Sequence, residues 1–220
     1  MTRSSASDLL VPAAVLSAAF VASATLLAAP RAPADGRAEV LLDNARVRIV
    51  RTSGLPRGGA AAVVVPLEDG PGRKKGDAWW FTGEKADTTS GGGTFVVVEP
   101  KPAPAAAAPP AGAPAPAVEG GSKPGDQTFK GISFVPLFEN DHVVVLRARM
   151  EVGAEEAFHT HARDVVVVHL SGGAIEDTAD GKTKVNRWKP GDVEFEARGS
   201  SHSARNVGGA IDVVLVTPKP

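Results

Sequence analysis

His159 and His161, separated by one residue, and a third histidine at His202 are the residues in this chain whose type and spacing could do chemistry. Side chains alternate across an extended strand, so His159 and His161 project to the same face and can share one ion. Three ring nitrogens at about 2.0–2.2 Å from a cation leave positions open for water or substrate, the pattern of a catalytic rather than a closed structural site. The competing reading of an isolated His-x-His is a pair of surface histidines in a turn. The chain has no cysteine. Disulfides, thiolate ligands and a lipidated cysteine are therefore excluded, and any transition metal must be held by histidine, carboxylate or water.

Strands must position these imidazoles. Short Val-rich runs such as VRIV, AAVVV, TFVVVE, HVVVLRARM, VVVVHL, DVEFEA and IDVVLV are bounded by Gly, Pro, Asn and Asp, and no long stretch has a helical period. The spacing predicts an all-β sandwich or barrel. A low-complexity segment, PKPAPAAAAPPAGAPAPAVEGGSKPG, begins at Pro100. Its proline density favours a semi-stiff, solvated linker over residues 100–126. On either side lie two β-rich halves, 38–99 and 127–220, and they resemble each other. LLDNARVRIVR (41–51) aligns with LFENDHVVVLR (137–147), KGDAWWF (75–81) with PGDVEFE (190–196), and FVVVEPKP (95–102) with VVLVTPKP (213–220). The order is the same in both, which predicts a duplicated domain. The first copy carries no histidine, because all five follow Asp141.

Residues 9–29 are almost wholly apolar after a short polar start with Arg3, so residues 1–29 read as a signal peptide and 30–37 as the flexible start of the mature chain. Export to the periplasm or the extracellular space is expected. An uncleaved membrane anchor is the alternative. The formal net charge of −1 gives no broad attraction to nucleic acid or to a membrane surface once the signal is removed.

Two longer motifs surround the histidines. GAEEAFHTHARDVVVVHLSGG (153–173) places Gly153, His159, His161 and Gly172 or Gly173 in order, and RGSSHSARN (198–206) adds Gly199, His202 and Asn206. In this pattern the C-terminal half resembles the cupin superfamily. The resemblance implies a jelly-roll barrel (a double-stranded β-helix), and with the internal repeat a degenerate bicupin whose first barrel has lost its metal site. Cupins usually place a carboxylate ligand where this chain has Val165 or Val166. What remains is similar to the three-histidine site of cupin-type thiol dioxygenases, with Asp164 as a fourth ligand only if the strand register slips. The resemblance implies a divalent cation, Fe2+ by preference over Zn2+, Mn2+, Ni2+ or Cu2+, and a small organic substrate. An anionic substrate is favoured because no carboxylate offsets the metal charge. An oxygenase or isomerase chemistry is the leading expectation, and a non-catalytic ligand-binding or structural cupin is the alternative. The resemblance also allows a homodimer.

The remaining polar residues are read more plainly. Arg147 and Arg149 share a strand face and would clamp a substrate carboxylate if that face lines the barrel; otherwise they are solvated. Asn206 holds a turn or touches substrate. His169 is expected in the core or behind the ligands, His142 at the surface, and Glu155 and Glu156 in solvent. Between Val193-Phe195 and Glu194-Glu196 the apolar pair should be inside. Trp79, Trp80, Trp188 and Phe195 read first as packing residues. No residue stands out as a general base.

Overall fold

The computed structural model describes residues 38–54, 59–82, 92–102 and 128–220. The expected signal peptide and almost all of the expected linker lie outside the described residues. The described residues all fall in one compact unit and build thirteen strands. These are β1 (Glu39–Asp43), β2 (Val47–Ser53), β3 (Ala62–Pro66), β4 (Trp79–Phe81), β5 (Thr94–Pro100), β6 (Phe129–Glu139), β7 (Val143–Thr160), β8 (Val165–His169), β9 (Gly173–Ala179), β10 (Lys182–Trp188), β11 (Val193–Glu196), β12 (Ser201–Asn206) and β13 (Ile211–Pro218). The all-β expectation holds. One sheet runs β1-β2-β5-β3-β4, and the other runs β10-β9-β12-β7-β13-β8-β11 with β6 also paired to β7.

The second sheet curls because β7 is one strand with two arms. Residues 143–150 pair with β13, and residues 155–160 pair with β12. Between the arms the pairing with β6 skips from Glu155 to Met150. Gly153 turns this corner at φ +74, a conformation open to glycine and costly to side-chain-bearing residues. The arm that carries the histidines is thereby folded over the rest of the sheet.

Strand pairings in the first sheet repeat those in the second residue for residue. Asp43 faces Arg48 as Glu139 faces Val144, with an irregularity after Val40 in one hairpin and after Pro136 in the other. Val47 faces Pro100 as Val143 faces Pro218. Val63 faces Val98 as Val166 faces Val216, and Val64 faces Trp79 as Val167 faces Glu194. Even the turn capping matches, since Asn44 Oδ1 accepts from the amides of Arg46 and Val47 as Asn140 Oδ1 does from His142 and Val143. The first sheet lacks partners for β9, β10 and β12. Among the described residues it is a five-stranded sheet with β1 and β4 as edges, and a second complete barrel is not confirmed.

The two sheets share a core. Val47, Ile49, Val63, Val65, Val96 and Val98 from the first pack with Val143, Val145, Val166, Val168, Leu170, Val214 and Val216 from the second, all of them fully buried. The contacts across this core are reciprocal. Arg51 Nη2 donates to Gly191 O at 2.6 Å, and Arg147 Nη1 donates to Lys75 O at 3.4 Å. Gly191 has φ +86, and a Cβ there would meet Leu67 Cδ1 at 2.8 Å. Gly191→Ala is therefore expected to cost about 1–2 kcal/mol, from the left-handed backbone alone, before Leu67 shifts. Urea denaturation of the purified variant measures it.

Candidate metal centre

Strand alternation decides what faces the hollow of the curled sheet. On the first arm of β7 it is Val144, Leu146, Ala148 and Met150; on β8 it is Val165, Val167 and His169; on β13 it is Ile211, Val213, Leu215 and Thr217. The residues between them, such as Val145, Val166 and Val214, belong to the core between the sheets. Both faces of these strands are thus covered, as in sheets that read as continuous apolar runs. The hollow is a cavity of about 480 Å3.

His159, His161 and His202 meet in this cavity. Their ligating atoms all lie within 4.8 Å of one another, and the ring centroids are 4.9 Å (His159–His161), 4.8 Å (His159–His202) and 5.0 Å (His161–His202) apart. His202 is the register partner of His159 across β12 and β7. His161 lies just past the end of β7 and is buried. Its backbone is held by two hydrogen bonds, His161 N to Ser200 O at 2.9 Å and Gly199 N to His161 O at 2.8 Å.

The ring orientations suit a cation. His202 Nδ1 donates to Asp177 Oδ1 at 2.9 Å, and His159 Nδ1 donates to the carbonyl of Ala157 at 2.9 Å. Both acceptors can only accept, so each ring carries its proton on Nδ1 and keeps a lone pair on Nε2. His161 Nε2 and His202 Nε2 are 3.1 Å apart. Two nitrogens each about 2.1 Å from a shared ion would be about 3.0–3.4 Å apart, so this pair is already at the spacing of two ligands, and the third ring lies close beside it. Asp177 fixes the His202 ring, and Asp177→Ala is expected to weaken Zn2+ or Co2+ binding about 10–100-fold in calorimetric titration.

Carboxylates surround the rings. Glu196 Oε2 lies 3.7 Å from His161 Nε2, and its Oε1 lies 4.0 Å from His202 Nε2. Glu156 Oε2 is 3.7 Å from His202 Nε2. Glu156 and His159 are an odd number of residues apart, yet both reach the cavity. The pairing with β12 steps from His202–His159 to Ala204–Glu156, so β7 carries one extra residue there, and such a bulge re-aims the side chains beyond it. Glu194, two residues before Glu196, lines the cavity as well. Burial first, and the Asp177 charge second, push its carboxyl up to about 7. Farther along β8, His169 is fully buried and stacks on Trp188 at 4.7 Å, and neither ring nitrogen has a hydrogen-bond partner. Burial pushes its pKa down to about 4.

Several expectations need correction. Asp164 does not join the histidines: its carboxylate accepts from Arg46 Nε at 2.7 Å and from the Arg198 amide at 2.8 Å, on the face opposite Val165. Arg147 and Arg149 have the strand parity of Val143 and Val145, away from the cavity. Arg147 pairs with Asp212, and Arg149 with Glu151 at the surface. Asn206 holds a turn, as read, and does not line the cavity: it is buried, with Nδ2 donating to the carbonyls of Glu151 and Gly209, each at 2.9 Å. Glu156 is not simply in solvent. On β11 both alternating sets are covered: Val193 and Phe195 pack between the sheets, and Glu194 and Glu196 face the cavity. Trp188 is a cavity wall rather than only a packing residue, whereas Trp80 and Phe195 pack against the shared core as expected. His142 is exposed and stacks on Trp80 at 5.1 Å.

Asp177, Glu194 and Glu196 were not among the expected site residues. For the two glutamates the signal was present, because a strand reading Val-Glu-Phe-Glu offers two faces and either can be an inside. For Asp177 no local signal distinguishes it from the other acids of β9.

No protein-family model matches the chain, and no curated protein does. Solved structures are similar over about two fifths of it. A cupin domain from Bordetella pertussis Tohama I is 22% identical over 41% of this chain and 96% of its own, with a TM-score of 0.39. An RmlC-like cupin from Shewanella frigidimarina NCIMB 400 is 25% identical over 43% of this chain and 87% of its own, at 0.34. The polyketide cyclase RemF from Streptomyces resistomycificus is 18% identical over 41% and 67%, at 0.37.

Proposed function

We propose that residues 129–218 form a cupin-type barrel that binds one divalent cation through His159, His161 and His202 and acts on a small organic molecule in the cavity beside it. The observation that carries this reading is the convergence of three imidazoles from β7, the loop after it and β12, two of them oriented through Nδ1 by Asp177 and the Ala157 carbonyl. When bound, the cation supplies Lewis acidity at the positions the three imidazoles leave open. Glu194 takes or gives a proton, since a carboxyl held near neutral pH is suited to both directions. The apolar walls exclude water from the reacting groups and accept a largely apolar molecule.

Charge favours one substrate class over another. Glu139, Glu156, Asp177, Glu194 and Glu196 line the cavity, and Arg163 is the only guanidinium among the described residues that does. An uncharged or cationic molecule is therefore proposed in place of the anionic one expected from the missing carboxylate at Val165. Fe2+ is the preferred cation in this proposal, although imidazole also accepts Zn2+, Mn2+, Ni2+ and Cu2+. The matching registers support the first sheet as a shortened copy of the second, without the strands that bear the metal site. Export through residues 1–29 is part of the same proposal, and N-terminal sequencing of the mature protein tests it.

The test of the site is metal content in the purified protein. Wild type is expected to hold close to one equivalent and His159→Ala far less; equal content in both would remove the site. Dioxygen uptake by iron-loaded protein with thiols, enols and small neutral carbonyl compounds then separates an oxygenase from a barrel that only binds. Silence across that panel, with tight binding of any compound, favours the non-catalytic reading.

A further inference from the structure

We infer that Glu196, carried on β11, supplies a fourth protein ligand to the cation proposed above, replacing from a neighbouring strand the carboxylate that Val165 does not provide. The inference rests on the metal-binding reading and deepens it. Glu196 and Val165 are direct register partners in the β11–β8 pair, and both face the cavity. Cross-strand partners have their Cβ atoms about 4.5–5.5 Å apart, so a carboxylate on either strand can reach the same point in space. Its two oxygens already lie 3.7 Å from His161 Nε2 and 4.0 Å from His202 Nε2. Donor atoms about 2.1 Å from one ion are separated by about 3.0 Å when adjacent and up to about 4.2 Å when opposite, so these distances fall within the range of a common coordination sphere.

The other carboxylates are differently placed. Asp164 is held by Arg46 and Arg198 on the far face. Asp177 is engaged by His202 Nδ1, on the side of the ring away from Nε2. Glu194 is the register partner of Val167, one inward-facing position farther along β8 from the histidines. Glu156 approaches His202 Nε2 at 3.7 Å and is the competitor that an experiment must separate from Glu196. A bound Glu196 would offset one of the two charges of the cation, which agrees with a cavity that favours an uncharged or cationic molecule.

Full-length protein stripped with chelator and titrated with Co2+ tests the inference, with the dissociation constant from calorimetry and the coordination sphere from the visible absorption bands. Wild type is expected to bind one Co2+. Glu196→Gln should weaken it at least about 10-fold and change the intensity and position of the bands. Glu156→Gln should leave the bands unchanged and the affinity within about 3-fold of wild type, below the loss expected even for an outer-shell partner. If Glu196→Gln does not fold, by circular dichroism of the metal-free protein, Glu196→Asp takes its place and should shift the bands because the shorter side chain cannot reach the same position. Wild-type bands and affinity in the Glu196 variant, while His161→Ala abolishes binding, would overturn the fourth ligand and leave the three-histidine reading standing. Loss caused by Glu156→Gln in place of Glu196→Gln would overturn it too. Absence of Co2+ binding by wild type would remove both readings together.

Discussion

Leu170→Ala is expected to destabilise the protein by about 2–5 kcal/mol and to lower the stability of both sheets together. Leu170 follows β8 and is fully buried in the core that the sheets share. Its Cδ1 lies 2.5 Å from where a Cβ on Gly76 would sit, so it packs against the turn that launches β4 in the other sheet. Truncation removes buried apolar area and leaves a cavity that neither sheet can close alone. Two independently folding halves would instead lose stability only in the second. The three tryptophans make the distinction measurable: Trp79 and Trp80 lie on β4, and Trp188 on β10. In a Trp188→Phe background the fluorescence comes from the first sheet alone. Its urea midpoint should fall with Leu170→Ala as far as the far-ultraviolet circular dichroism midpoint does, and an unmoved fluorescence midpoint would refute the shared core.

The second large effect is a pH dependence that two residues partly conceal from each other. Glu194 is raised to about 7 by burial and the Asp177 charge. Between its unfolded value near 4.5 and that figure, the unfolded chain has released a proton that the folded protein still holds. Stability therefore falls as pH rises through this window, by roughly 3 kcal/mol in all. His169 works in the opposite sense. Its folded pKa is pushed down to about 4 by burial, so between about 6.5 and 4 the unfolded chain takes up a proton that the folded protein refuses. Its contribution is complete above about 6.5 and is lost as pH falls, again by roughly 3 kcal/mol.

In the metal-free protein these slopes oppose each other between about pH 4.5 and 6.5. Each substitution should unmask the other. Relative to wild type, Glu194→Gln is expected to gain stability as pH rises from 4.5 to 7, and His169→Leu to gain stability as pH falls from 6.5 to 4. His169→Leu also removes two buried nitrogens that lack hydrogen-bond partners, which adds about 1–3 kcal/mol even at pH 8. Urea denaturation of chelator-treated protein at half-unit pH steps gives both curves. Difference curves that are flat with pH would refute the burial of these groups.

Much of the fold was legible because valine-rich strands and their turns are local. VVVVHL is bounded on both sides by turn residues, and its length admits one strand. The likeness between the two halves was legible for a related reason. Asn44 and Asn140 cap the same turn in both hairpins, and Gly76 and Gly191 launch the same strand, so matching residues sit where the backbone demands particular chemistry. The expectation of a second barrel was not confirmed: among the described residues the first sheet has no counterparts of β9, β10 and β12. Local similarity cannot say whether a sheet closes on itself.

The candidate site divides in the same way. His159 and His161 were legible as a pair because alternation along one strand is a property of the backbone. Their meeting with His202 follows from the register of β12 on β7, and the Gly153 corner then folds that arm over the cavity. Arg147 and Arg149 were correctly read as sharing a face, but a strand with two covered faces does not declare which of them lines the cavity.

The sequence by itself determined an all-β chain, three histidines able to serve one ion, and two stretches with the same turns and the same order of strands. Those features depend on periodicity, turn chemistry and spacing, which act over a few residues. Only the tertiary structure decided that Glu196 stands beside Val165, that Glu156 is swung inward by a bulge, and that one core joins both sheets. Each of these depends on which strand lies next to which. Pairing between distant segments is set by burial across the whole unit, and no single segment contains that information.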